Sequence, residues 1–293
     1  MRTLAVVLAV VASCVFSPLH AQAGRPPIVG KVDLVQVPVW VERGGIRAGV
    51  KAGWAIYAGD RLFTGAEGRL QLSLPGDGKL KLSGNAEIAF AAPGNNTVGD
   101  TPLFDVRSGV FQFTAPVVER ADSPGTLVTL NGVATANIRG GQVVGKEDTL
   151  CLVDGAATIS GAGQSSAIMN RPQTVVNVTP AGKVLAPITM PPERLAQWVS
   201  SAQAVSGRPA LHAEGTWDVS LNSGYNLKEL ETMACRIQKR GFPSEIYPVR
   251  EPGKQVWYRV VVRRFGSKAE AVQFLGTARD LGAKEPWVLL PQS

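Results

Sequence analysis

VWYRVVVRRFGSKAEAVQFLGTARDLGAKEPWVLL, residues 256–290, decides the fold of the C-terminal part of the chain. It reads as strand, turn, helix, turn and strand. Val256–Phe265 is a run of β-branched and aromatic residues, the composition that suits a pleated surface. Gly266 breaks the run. Ser267 followed by Glu270 then forms a capping box, which satisfies orphan N–H groups at a helix start. Ala271, Phe274, Leu275, Ala278 and Leu281 recur at helical spacing as one apolar stripe, and Gly282 stands where a left-handed C-cap belongs. Trp287–Leu290 is a short last strand. Strand alternation then makes a second statement. If Tyr258, Val260 and Val262 point at the helix, Trp257, Arg259, Val261 and Arg263 point away from it. A cationic, aromatic open sheet face suggests something to be held.

Working upstream, a half-buried strand starts at Thr216, where Trp217, Val219 and Leu221 alternate with Asp218, Ser220 and Asn222. Asn226 with Glu229 caps a second helix whose stripe is Leu227, Leu230, Ala234 and Ile237 and which ends at Gly241. Ser244–Val249 is a short strand. The order β-α-β-β-α-β is the split-βαβ plan of ferredoxin-like α+β folds, with two helices on one face of an antiparallel sheet.

The other half of the chain is different in kind. With 293 residues, there is room for two ordinary domains, and 32 Gly with 20 Pro point to a β-rich, turn-dense majority. From 24 to 187, short alternating runs are punctuated by Gly, Pro, Asn and Asp, with no sustained helical stripe. The candidates are Ile28–Val41, Asp60–Thr64, Arg69–Leu74, Lys79–Leu82, Glu87–Ala91, Val110–Thr114, Thr126–Leu130, Gln142–Val144, Thr149–Val153, Ala157–Ser160 and Thr174–Val178. Leu70–Leu74, a Pro-Gly-Asp-Gly turn and Lys79–Leu82 make a hairpin of period two. The expectation is a multidomain chain: an all-β sandwich or roll over 24–187, a linker with a short helix over 188–215, and the α+β unit over 216–293. In the linker, Leu195, Trp198, Val199 and Ala202 share one helix face, expected to dock on one of the two units.

Residues 1–23 read as a secretory signal: Met1-Arg2, an apolar core Leu4–Val15, and Ala21-Gln22-Ala23 as an A-x-A-like cleavage site. Nothing later approaches the ~20 apolar residues a membrane helix needs. Export to the periplasm without a transmembrane segment is expected. Val11-Ala12-Ser13-Cys14 also resembles a lipobox, so lipidation at Cys14 stays open as the alternative. Cys151 and Cys235, one in each half, are expected as two buried single thiols rather than a disulfide or a zinc site.

The formal charge is +7, with 12 basic and 8 acidic residues over 216–293 against 15 and 13 over 24–190. The excess is modest, there are no Lys/Arg runs, and export is expected, which together argue against nucleic acid. Anionic envelope polymers remain compatible. Chemistry of the catalytic kind is sparse. His20 lies in the signal and His212 in the linker, which removes His-dependent triads and His-based zinc arrangements. No carboxylate pair is placed by spacing for glycoside hydrolysis, there is no phosphate-binding loop, and Gly161-Ala162-Gly163 is a lone Gly-rich turn. A non-enzyme without metal or cofactor is expected.

Two family resemblances add to this reading. Gly59-Asp60-Arg61-Leu62-Phe63-Thr64-Gly65, then Gly68-Arg69-Leu70-Gln71-Leu72, then Gly78-Lys79-Leu80-Lys81-Leu82 with Asn85-Ala86-Glu87-Ile88 resembles the cadence of FecR-type domains, over about residues 28–160. That resemblance implies an extracytoplasmic β-rich interaction module, without the membrane helix that usual FecR sensors carry. The plain structural alternative is that Gly59-Asp60 and Asp77-Gly78 are turn residues and nothing more. In the C-terminal unit, Trp217–Leu221, Arg240-Gly241-Phe242 and above all Trp257–Ala271 resemble the SPOR domain, a peptidoglycan-binding module. The resemblance implies binding of glycan strands stripped of stem peptides, through the sheet face away from the helices. Arg263 stands where that family has Gly, and Ser220–Tyr225 departs from its first-strand pattern.

On the strand phase above, Asp218, Ser220, Trp257, Arg259 and Arg263 share the open face and are the candidate glycan-binding residues. Trp257 can stack on a sugar ring, the arginines are fixed-geometry donors, and Ser220 donates or accepts. Arginine also suits the lactyl carboxylate exposed when stem peptides are removed. The alternative makes Trp257 an edge-of-core residue and the arginines a solvated face. Tyr258, Phe265 and Trp287 are expected in the core. The leading expectation is a periplasmic, non-catalytic protein that binds denuded septal glycan through the C-terminal unit and another envelope protein through the β-rich unit. The alternative is an envelope sensor of FecR type acting through a membrane partner. A third, an envelope enzyme with an unrecognised site, has no residues to name.

Overall fold

A computed structural model describes residues 26–91, 103–115, 125–250 and 255–291. The signal, Cys14 and the lipobox lie outside the described residues. The chain is mostly β sheet with few helices. Among the described residues, no helix is long and apolar enough to cross a membrane.

The β-rich part is two facing ladders that share two long strands. One ladder runs Ala55–Tyr57, Ile28–Gln36, Arg69–Leu74, Gly78–Leu82 and Phe111–Ala115 into the long strand Ala134–Lys146. The other runs Ile46–Gly49, Val39–Arg43, Arg61–Thr64, Glu87–Phe90, Phe104–Ser108 and Thr126–Leu130 into the same strand. Thr149–Ser160 pairs along most of Ala134–Lys146. The alternation seen in the sequence explains the inner faces. Leu70, Leu72, Leu74, Leu80 and Leu82 are buried, whereas Gln71, Ser73, Lys79 and Lys81 point outward. Each such leucine contributes roughly 2 kcal/mol through burial. Phe104 of one ladder meets Phe111 and Phe113 of the other edge-on at 6.0 and 5.5 Å, which closes the layers over one core.

Two differences from the expected strands have local causes. The Ile28–Val41 run is two strands, Ile28–Gln36 and Val39–Arg43, which part at Val37 and Pro38 and enter different ladders; Pro38 has no N–H to give to a ladder. The separate runs Gln142–Val144, Thr149–Val153 and Ala157–Ser160 are parts of two long strands that bend where Gly141 faces Gly155. Both glycines have φ near +85°, and a Cβ on either would collide with the opposing backbone. Strands Ile46–Gly49, Ala55–Tyr57, Phe104–Ser108 and Ser166–Met169 are additional to those expected.

The segment after the β-rich part is strapped onto it. The helix Pro192–Ser201 lays Trp198 into a small cluster with Val110, Val144, Cys151, Val175 and Met190. The Gln36 side chain donates to the carbonyls of Val205 and Arg208 and accepts from the Val205 N–H. Cys151 is a free, buried thiol. Cys235 is half-buried and disulfide-bonded, so the expectation of two single thiols holds for Cys151 alone.

The C-terminal elements come in the expected β-α-β-β-α-β order. The antiparallel sheet is ordered Glu245–Val249, Trp257–Phe265, Trp217–Gly224, Trp287–Leu289. Helices Leu227–Lys239 and Lys268–Asp280 start at Asn226 and Ser267, each accepting from the N–H three residues on, as the capping boxes require. Leu230, Ile237, Ala271, Phe274 and Ala278 of the helices pack on Val219, Ile246, Val260 and Val262.

The two parts also touch. Leu211–His212 pairs with Leu34–Val35 on one side and, through Leu211, with Phe265 on the other. Gly241 ends the first helix at φ +82°, its carbonyl accepts from the Val39 N–H at 3.0 Å, and it is covered by Pro38 and Trp40. Trp40 Nε1 donates to the Lys239 carbonyl at 3.1 Å. One hydrophobic core runs across this seam.

Candidate functional site

Strand pairing sorts the C-terminal sheet into two faces, because residues directly opposite one another project to the same side. Val261 lies opposite both Ser220 and Glu245, and Ser220 opposite Trp287. Arg259 lies opposite Tyr247 and Ser223. The face away from the helices therefore carries Glu245, Tyr247, Trp257, Arg259, Arg263, Asp218, Ser220 and Trp287.

The predicted residues fall into two groups on this face. The first centres on Arg259. Its guanidinium lies 4.8 Å from the Trp257 ring, 5.5 Å from Trp287 and 5.9 Å from Tyr247. Its Nη1 donates weakly to the Tyr247 hydroxyl at 3.3 Å, while its buried Nε has no hydrogen-bond partner among the described residues. Trp257 is half-buried and Trp287 is 38% exposed. Ser220 lies beneath this layer, fully buried, and its Oγ is also unpartnered. Its burial does not suit the direct sugar contact expected of it. It belongs to the floor.

The second group sits four residues along the central strand, about 13 Å away at the usual rise. Arg263 Nε donates to Asp218 Oδ2 at 2.8 Å, and its Nη1 lies 3.8 Å from Glu245 Oε2. Glu245 in turn is paired with Lys51 of the β-rich part at 2.9 Å. Burial works against the charge on Arg263, but the hydrogen bond and charge of Asp218, with Glu245 and Tyr247 adding, outweigh it and hold its pKa above the ordinary arginine value. Arg263 and Asp218 therefore occupy each other, at the end of the face nearest the seam.

Sequence reasoning missed Tyr247 and placed Trp287 in the core. Phe265 is in the core as expected, and Tyr258 packs against it half-buried. The signal for Tyr247 and Trp287 lies in the register, which sets Tyr247 opposite Arg259 and Trp287 opposite Ser220. In the β-rich part, Asp60 is more than a turn residue. It is buried, accepts from Arg43 at 2.7 and 2.6 Å and from the Tyr57 N–H at 2.9 Å, and so ties two strands together. The plain reading of Asp77 holds, at φ +65° in the hairpin turn. Among the described residues, no group of three or more His, Cys, Asp or Glu gathers to hold a metal ion.

With this geometry in place, comparison with known proteins bears on the C-terminal part. Residues 213–290 match the family model of the SPOR domain. No curated protein matches the chain. Solved structures that match include two crystal structures of a candidate anti-sigma factor from Parabacteroides distasonis ATCC 8503. One is 15% identical over 51% of this chain and 68% of that one, with a TM-score of 0.38. The other is 14% identical over 80% and 98%, with a TM-score of 0.37. Likeness at that level carries no argument about fold or function.

Proposed function

We propose that this is a non-catalytic cell-envelope protein that holds peptidoglycan glycan strands on the open sheet face of its C-terminal SPOR-like unit. The observation that carries the reading is Arg259 set among Tyr247, Trp257 and Trp287 with its Nε unpartnered. Sugar rings present apolar faces that stack on indole and phenol rings, and hydroxyls, acetamido groups and carboxylates that accept from a guanidinium. The SPOR match at 213–290 supports the same ligand class and an association with cell division. Glycan freed of stem peptides is the favoured form, because its lactyl carboxylates are then exposed to Arg259. Export by the 1–23 signal belongs to this reading, and the β-rich part serves as an interaction module in the envelope.

The test is retention of the full chain on amidase-treated against untreated sacculi. Treated sacculi should hold more protein, and Trp257→Ala or Arg259→Ala should each weaken retention by about tenfold, the scale of losing one anchoring side chain. Equal retention on both kinds of sacculus, or retention unchanged in the double variant, overturns the proposal.

A further inference from the structure

The open face does not stop at the C-terminal sheet. Glu245 and Arg263, which lie on it, also line a cleft of about 130 Å³ whose opposite wall is Lys51 and Trp54 of the β-rich part. Lys51 Nζ is 2.9 Å from Glu245 Oε1 and 4.8 Å from the Trp54 ring. Trp54 is at the same time a wall of a second cleft, of about 270 Å³, shared with Arg43, Ile46 and Tyr57. There the Arg43 guanidinium lies 4.4 Å over the Tyr57 ring. Trp54 thus joins the two clefts, and Glu245 and Arg263 carry the first onto the open face, about 13 Å along the strand from Arg259. Three places follow in succession, each with a cation held against an aromatic ring: Arg259 with Trp257, Tyr247 and Trp287; Lys51 with Trp54; Arg43 with Tyr57.

Such a series suits a chain rather than a single sugar. A glycan strand repeats apolar ring faces and polar edges along its length, and each cation–ring pair offers one surface for stacking and one donor for an oxygen. The cations are held in place before any ligand arrives, Lys51 by Glu245 and Arg43 by Asp60, so little side-chain freedom is lost on binding. Ile46, 38% exposed at the rim of the second cleft, adds apolar area at the far end.

We propose that a denuded glycan strand held at Arg259 continues over Arg263 and Glu245, crosses the seam at Lys51 and Trp54, and enters the cleft beside Tyr57, so that the β-rich part is itself a glycan-binding surface. The proposal rests on the glycan reading of the open face. It adds that the footprint spans both parts of the chain and favours long strands.

The test measures binding of the full chain to short and long glycan strands released from amidase-treated sacculi. The wild type should bind long strands more tightly than short ones by about tenfold, one further anchoring contact. Trp54→Ala should remove that advantage and leave short-strand binding unchanged, whereas Trp257→Ala should weaken both. Trp54 is half-buried, so hydrogen exchange on the wild type provides a measurement free of folding effects: long strands should protect 46–57 together with 257–263. Protection confined to the C-terminal part, or no length preference in the wild type, overturns this proposal and leaves the open-face reading standing. If the wild type binds neither length, both fall.

Discussion

Truncating Arg43 to alanine should cost the fold about 3 to 5 kcal/mol, because it leaves a carboxylate in the interior with its charge uncompensated. Asp60 has a side chain only 1% exposed, and Arg43 meets it with two short hydrogen bonds. After Arg43→Ala the Tyr57 N–H is, among the described residues, the one hydrogen-bond donor left to that carboxylate. Arg43 itself is 34% exposed, so water can follow into the space it vacates, which favours the lower end of the range. The pair is asymmetric for the same reason. Asp60→Ala removes the buried charge, leaves a guanidinium that can rehydrate, and orphans the Tyr57 amide, a cost of about 1 to 3 kcal/mol. The double variant should therefore resemble Asp60→Ala, and removing Asp60 should rescue part of the damage done by Arg43→Ala. Urea unfolding of the full chain, followed by tryptophan fluorescence and far-ultraviolet circular dichroism, measures all three. A shift below about 1 kcal/mol for Arg43→Ala, the range of an ordinary surface pair, would refute the reasoning. So would a double variant no more stable than Arg43→Ala alone.

Two further outcomes follow from buried positions elsewhere. Burial pushes the Cys151 thiol from 9.0 up to about 11, so at pH 8 the folded chain should resist alkylation at Cys151 until it is denatured. The neutral thiol is the form the fold favours. Its contribution to stability is therefore complete below pH 9.0 and is lost as pH rises toward about 11, and mass-spectrometric mapping of the alkylated site against pH checks both statements. Gly141→Ala should destabilise the β-rich part by about 1 to 3 kcal/mol, since φ is +86° there and a Cβ would collide with the Asp154 carbonyl. A melting temperature equal to that of the wild type would show that the paired long strands do not bend at this point.

Much of the C-terminal unit was legible in the chain because its signals are local. Ser267 with Glu270 and Asn226 with Glu229 announce helix starts within four residues, and the stripes beneath them repeat every three or four. The Leu70–Leu82 hairpin is visible for the same reason, as period-two alternation around a turn. Strand phase alone placed Trp257, Arg259, Arg263 and Asp218 on one face. It could not show that Asp218 and Arg263 neutralise each other, nor that Ser220 is roofed over, because both depend on which strands lie side by side.

The amino-acid sequence by itself determined the element order of the C-terminal unit, its helix caps, its buried stripes and the presence of a cationic, aromatic face, since periodicity and capping act within a few residues. Tertiary structure decided the rest. Register brought Tyr247 and Trp287 to Arg259 from strands 12 and 28 residues away in the chain. Packing joined the two parts through Trp40, Gly241 and Leu211 into one core. That seam also carried Lys51 and Trp54 to the edge of the candidate site from some 200 residues upstream. Contacts so distant are chosen by how surfaces fit and charges pair once the local elements exist, and no stretch of the chain read alone contains them.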